Sequence, residues 1–258
     1  MSSSNDSTGK TIVVAILLCL VCSVFVSSAA VLLKPAQEAQ KQLDKRTNIL
    51  AAAGIATEGQ DVEQLFGQFT IKVVDLETGK YTDAVDPTNY DQRAASKDPT
   101  LSEELADDVD IASINRRARY APVYLLEDKG KVDKVVIPVH GYGLWSTLYG
   151  FLALEGDGKT VVGLGFYEQG ETPGLGGEVD NPKWKALWTG KEVFDDQGNP
   201  DIQLVKGGVN PQSSQAIHQV DALSGASLTS RGVQNLLQFW LGENGFGSYL
   251  ANLRSGEV

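Results

Sequence analysis

Leu148-Tyr149-Gly150-Phe151-Leu152-Ala153-Leu154 and, beyond the turn Gly156-Asp157-Gly158, Thr160-Val161-Val162-Gly163-Leu164-Gly165-Phe166 are two short apolar runs joined by turn residues. That is the pattern of a β-hairpin. Pro122-Val123-Tyr124-Leu125-Leu126 and Lys134-Val135-Val136-Ile137-Pro138-Val139 precede them, with Lys129-Gly130 between. Connections this short suit an antiparallel meander and leave no room for crossover helices. Upstream, Phe69-Thr70-Ile71-Lys72-Val73-Val74-Asp75 alternates like a half-buried strand, after a short helix over Asp61 to Phe66. Thr78 to Pro99 is polar and reads as a long surface loop. A hydroxyl and acids at Thr100 to Glu104, with Arg116, Arg117 and Arg119 at the far end, predict a helix across Ser102 to Arg117 whose charges complement its dipole. Downstream, a helix is expected over Lys183 to Thr189, a strand over Ile202 to Val205 and a loop over Gly207 to Ser214. The fold class is α+β, a mainly antiparallel sheet flanked by helices.

Thr11 to Leu33 contains no charged residue. At about 1.5 Å per residue the run spans roughly 35 Å, enough to cross a hydrocarbon core of about 30 Å. It exceeds the h-region of a signal peptide and continues past Ser27-Ser28-Ala29-Ala30 through Val31-Leu32-Leu33. A transmembrane helix at 11–33 follows, after a short tail at 1–10, and a Gln/Glu/Lys/Ala-rich helical stalk at 34–54 stops at Gly54. Only Lys10 precedes the span, whereas Lys34, Lys41, Lys45 and Arg46 follow it, so the positive-inside rule alone puts the large domain in the cytoplasm. Cys19 and Cys22, the only cysteines, lie in the span one turn apart and supply no disulfide framework. With 22 basic and 33 acidic residues the chain carries −11, which argues against a nucleic-acid partner.

Asp221-Ala222-Leu223-Ser224-Gly225-Ala226-Ser227-Leu228-Thr229-Ser230 opens into a helix whose apolar face is Val233, Leu236, Leu237, Trp240 and Leu241. From the residues alone this is either an ordinary serine cap after a glycine turn or a seat for a phosphate at the positive end of a helix. Tyr167-Glu168-Gln169-Gly170-Glu171-Thr172-Pro173-Gly174-Leu175-Gly176-Gly177-Glu178 can wrap a flat ligand or serve as a connector. It has neither the spacing of a dinucleotide fingerprint nor a Walker lysine. A serine hydrolase is disfavoured because Thr229 stands where the elbow's second glycine belongs. His140 and His218 have no metal-ligand spacing, so no metal site is expected.

These stretches, with Tyr90-Asp91-Gln92-Arg93, Ala95-Ser96-Lys97-Asp98, His140-Gly141, Gly143-Leu144-Trp145-Ser146 and Phe239-Trp240-Leu241-Gly242, resemble the C subunit of the sodium-translocating NADH:quinone oxidoreductase of bacterial inner membranes. Asp221-x-x-Ser224-Gly225-Ala226-Ser227-x-Thr229-Ser230 is similar to the family's flavinylation motif, in which a flavin transferase attaches FMN through its phosphate to a threonine hydroxyl. Ser227 stands at that threonine position here, and three readings stay open: natural acceptor, engineered replacement, or a seat for FMN held without a covalent bond. Thr229 lies about 200° further round the helix and faces elsewhere.

The resemblance implies an FMN-binding domain at 119–258 after an accessory region at 55–118. It implies FMN tethered at Ser227 and cradled by Ser224, Gly225, Ala226, Leu228 and Thr229, with Glu171, Thr172, Gly174, Leu175 and Gly176 approaching the isoalloxazine. Electrons would pass from an iron–sulfur centre to the FMN of the B subunit within a complex that also holds the A, D, E and F subunits, with no NADH or quinone site on this chain. It places the large domain in the periplasm, against the charge count. The G subunit of the related ferredoxin:NAD oxidoreductase, or a membrane-anchored assembly module without redox function, are the alternatives.

Overall fold

The computed structural model describes residues 7–258, so the first part of the expected 1–10 tail lies outside the described residues. Contacts divide the chain into a unit ending at Asp44 and a unit of Lys45–Val258. The first element, α1 (Thr8–Ala52), is one helix that takes in both the expected span and the expected stalk, with Pro35 inside it. Among the described residues it is the one helix long and apolar enough to cross a membrane, and none of its apolar window is buried.

In the second unit, α2 (Val62–Phe66) is capped by the Asp61 carboxylate. It leads into β1 (Phe69–Asp75) and β2 (Lys80–Tyr81). The single turn α3 (Gln92–Ala95), capped by Asp91, lies in the stretch expected to be surface loop, and it buries Gln92 and Ala95.

The helix expected across Ser102 to Arg117 does not form. Ser102–Glu104 is a strand, β3, paired antiparallel with β4 (Arg116–Ala118). The charges that suggested dipole complementarity are cross-strand partners, Arg117 with Glu103 at 2.5 Å and Arg116 with Glu104 at 3.4 Å. Between the strands the Asp110 carboxylate accepts the Ile114 and Asn115 N–H groups, and Ser113 and Asn115 adopt positive φ. A side chain that satisfies its own backbone competes with helix.

The meander forms as expected. Its strands β5 (Tyr120–Asp128), β6 (Lys131–Tyr142), β7 (Thr147–Glu155) and β8 (Val161–Glu168) pair antiparallel in succession, and the whole sheet runs β2-β1-β5-β6-β7-β8. Both faces are covered, which is why its strands read as near-continuous apolar runs. Val123, Leu125, Ile137, Leu148, Leu152 and Leu154 join the core that includes the C-terminal helices. Tyr124, Val136, Phe151 and Ala153 pack with Ile49, Leu50, Ala52 and Ala53 at the end of α1.

After β8 come α4 (Pro182–Lys185), continued by a 3-10 turn through Trp188, and β9 (Gln203–Val205). Parallel to β9 lies β10 (Gln219–Asp221), which delivers the chain to α5 (Ser227–Leu241); α6 (Gly247–Ser255) closes the fold. Val233, Leu236, Leu237 and Trp240 of α5 are fully buried, each contributing about 1.5–3 kcal/mol.

Candidate functional site

Three segments converge at the start of α5. The first is the turn from β10 into the helix. The Asp221 carbonyl accepts the Trp184 indole N–H and its carboxylate accepts the Val209 N–H, fixing where β10 ends. Gly225 takes φ 73°, a left-handed value that spares a side chain strain. The Ser230 hydroxyl accepts the Leu223 N–H and donates to the Ala226 carbonyl, closing the turn.

The helix start itself is open. Ala226 at the cap position supplies no side-chain acceptor, and the first helical hydrogen bond runs from the Ser230 N–H to the Ala226 carbonyl. Among the described residues the Ser227, Leu228 and Thr229 N–H groups have no protein acceptor. They present the positive end of a 15-residue helix. Ser224, Gly225, Ser227 and Leu228 are exposed there, while Ala226, Thr229 and Ser230 are buried. The expected divergence of Ser227 and Thr229 is therefore observed.

The second segment is the glycine-rich loop after β8. Arg93 grips its root, with both guanidinium nitrogens on Glu168 at 2.6 and 2.8 Å and its carbon 3.8 Å from the centre of the Tyr149 ring. Both partners are about half exposed, so the pair fixes direction and adds little stability. Thr172, Gly174 and Leu175 are exposed, and Leu175 reaches back until its Cδ2 lies 3.1 Å from where a Cβ on Gly225 would sit.

Glu171 does not share that exposure. Its side chain is buried, with Oε2 accepting the Thr229 hydroxyl at 2.7 Å. Oε1 accepts the backbone N–H groups of Leu144, Trp145 and Ser146 at 3.0, 2.9 and 3.2 Å. Burial alone would push this carboxyl up, but the hydrogen bonds from Thr229 and the three amides outweigh it and hold it below the ordinary range. Gly176 leaves space for the arrangement, since a Cβ there would stand 2.5 Å from Thr229 Oγ1 and 2.7 Å from Glu171 Oε2.

Those three amides introduce the third segment, the turn Gly143-Leu144-Trp145-Ser146 between β6 and β7. Ser146 Oγ also accepts the Gly170 N–H at 2.6 Å, a second tie to the glycine-rich loop. Trp145 projects from this turn 67% exposed. No site residue was expected here. The available signal was an acid set among glycines, which needs donors from elsewhere if the loop is to close.

The family model described as "FMN-binding domain" matches residues 143–242, the stretch that holds all three segments. Over 260 residues the chain is 58% identical to the C subunit of the Na(+)-translocating NADH-quinone reductase of Pseudomonas aeruginosa, an alignment that takes in 99% of this chain and all of that one. This chain belongs to the family of C subunits of Na(+)-translocating NADH-quinone reductases.

The Vibrio alginolyticus member is 51% identical over the full length of both chains. Among solved structures, Shewanella oneidensis NqrC is similar with a TM-score of 0.77 at 39% identity, covering 84% of this chain and 99% of that one. The family member from Parabacteroides distasonis gives 0.60 at 26%, covering 86% and 96%. The chain is thus a flavoprotein subunit of a redox enzyme complex, with FMN as its cofactor. Its apolar N-terminal helix fits a membrane anchor for such a complex.

The site geometry suits that cofactor. N–H groups without an acceptor at an uncapped helix start are the kind of donors that suit a phosphate, and the exposed side chains of Leu175 and Leu228 are the kind of apolar surface that suits a flat ring.

Proposed function

We propose that this chain carries FMN as a phosphoester on Ser227. The observation that carries the reading is the exposed Ser227 at a helix start whose first N–H groups have no acceptor, directly after the Gly225 turn that Leu175 of the glycine-rich loop approaches. In the attachment, the Ser227 Oγ–P bond forms as the bond from that phosphorus to the leaving group of an activated flavin donor breaks, and a flavin transferase removes the hydroxyl proton. Ser227, Leu228 and Thr229 bind the phosphate through backbone N–H groups, while Ser224 adds a hydroxyl and Gly225 and Ala226 leave room for close approach. Thr172, Gly174, Leu175 and Gly176 border the ring, with Leu175 and Leu228 excluding water from it. Glu171 and the Thr229 hydroxyl satisfy each other and support the site from below.

Bound FMN supplies one-electron transfer, here between an iron–sulfur centre of the complex and the FMN of the B subunit. The chain holds the reacting group in place, and its other partners are the A, D, E and F subunits. The large domain faces the periplasm of a bacterial inner-membrane protein, where a tether prevents loss of the cofactor.

The test is flavin fluorescence in a denaturing gel of the chain made with the transferase. A band in the wild type that disappears in Ser227→Ala is expected. A band that survives the substitution, or a wild type with none, overturns the phosphoester at Ser227.

A further inference from the structure

The buried carboxylate of Glu171 has more contacts than any surface acid in this fold needs, and every one of its four partners is uncharged: one hydroxyl and three backbone amides. Those partners belong to two different segments, the Leu144–Ser146 turn and α5, while Glu171 itself belongs to the glycine-rich loop. One side chain therefore spans all three walls of the flavin site. The surrounding glycines are matched to it. A Cβ on Gly143 would lie 2.6 Å from Oε1, and a Cβ on Gly176 would lie 2.7 Å from Oε2.

We infer that Glu171 is the positioning residue of the flavin site, latching the three walls together and leaving a buried negative charge that holds the flavin's reduction potential low. The inference rests on the placement of FMN between α5 and the glycine-rich loop. Its first half follows from geometry. Without the carboxylate, three amides and a buried hydroxyl lose their acceptor together, and the 170–177 loop loses its direct tie to α5. Its second half follows from charge. Hydrogen bonds disperse a carboxylate's charge but do not cancel it, and no cation pairs with Glu171 among the described residues. A nearby negative charge opposes electron uptake, most strongly where water is excluded.

Two readouts test the two halves. Amide hydrogen exchange on the unflavinylated full chain reads the latch: the Leu144, Trp145 and Ser146 amides should exchange at least tenfold faster in Glu171→Ala than in wild type. If that variant does not fold, Gly143→Ala, whose Cβ would stand 2.6 Å from the Oε1 that accepts those amides and so displaces it while keeping the acid, should show the same acceleration. Unchanged exchange in a folded variant overturns the latch. The midpoint potential reads the charge, on chains loaded with FMN by the transferase or by added free FMN. Glu171→Gln keeps an oxygen for the three amides and removes the charge, so its potential should be more positive than wild type, whereas Glu171→Asp should restore the wild-type value. An unshifted Glu171→Gln potential overturns the electrostatic half. Absence of covalent flavin on the wild type would contradict attachment at Ser227 and leave both readouts intact.

Discussion

Gly232→Ala sets helix propensity against packing at the place where α5 passes the β6–β7 turn, beside the proposed flavin site. In an isolated helix the change is favourable by about 1 kcal/mol. Here a Cβ on Gly232 would stand 2.5 Å from the Tyr142 carbonyl oxygen, 2.9 Å from Gly143 Cα and 3.2 Å from the Gly143 carbonyl oxygen. All three are backbone atoms, so no rotamer change relieves the clash. Either α5 or the β6–β7 turn must move, and overpacking of this kind costs about 1–3 kcal/mol. Packing wins by up to roughly 2 kcal/mol, which for a unit of this size lowers Tm by up to roughly 8 °C. Either displacement shifts the start of α5 against the 143–146 turn that Glu171 ties to it, so flavin incorporation should fall in the folded variant. Thermal unfolding by circular dichroism and in-gel fluorescence read the two effects. A Gly232→Ala chain as stable as wild type, or more so, would refute the close-packing argument.

Three further outcomes are expected. His140 is held neutral by burial, with the Arg93 charge acting in the same direction and Asp110 opposing, so its pKa falls from 6.5 to about 4. Its contribution is fully present above pH 6.5 and is lost as pH falls toward 4, so urea unfolding across that window should weaken wild type more than His140→Phe; parallel curves would contradict this. A fragment beginning at Lys45 retains Ile49 and Leu50, both essentially inaccessible, and should unfold cooperatively. One beginning at Ile55 loses both, on the order of 5 kcal/mol, and should not fold; cooperative unfolding of the shorter fragment would refute that role for the end of α1. In intact cells, a single cysteine placed at exposed Lys129, with Cys19 and Cys22 replaced, should react with an impermeant thiol reagent, and its protection would overturn the proposed periplasmic orientation.

Much of the architecture could be read from periodicity. Leu148 to Leu154 and Val161 to Phe166 are apolar throughout because helices cover both sheet faces, and the Val233-Leu236-Leu237-Trp240 stripe specified α5. The Ser102 to Arg117 segment failed because acids followed by arginines serve a helix dipole and a cross-strand ladder equally well. Asp110, which decides between them, acts through backbone contacts that spacing does not reveal. The parallel pairing of β9 with β10 joins residues separated by the whole 206–218 loop and left no local mark. At the site, hydroxyls and glycine marked the turn, and helix phase separated Ser227 from Thr229. What was hidden is that Glu171 turns inward. Its partners are main-chain amides of a hairpin about 25 residues away, and any three residues could have supplied them.

Attachment at Ser227 is tested most directly by a tandem mass spectrum of the peptide containing Ser224, Ser227, Thr229 and Ser230, taken from the chain produced with the transferase. One FMN, less one water, on Ser227 alone is the predicted result. An adduct on Ser224, Thr229 or Ser230, or a peptide with no flavin mass at all, would contradict it.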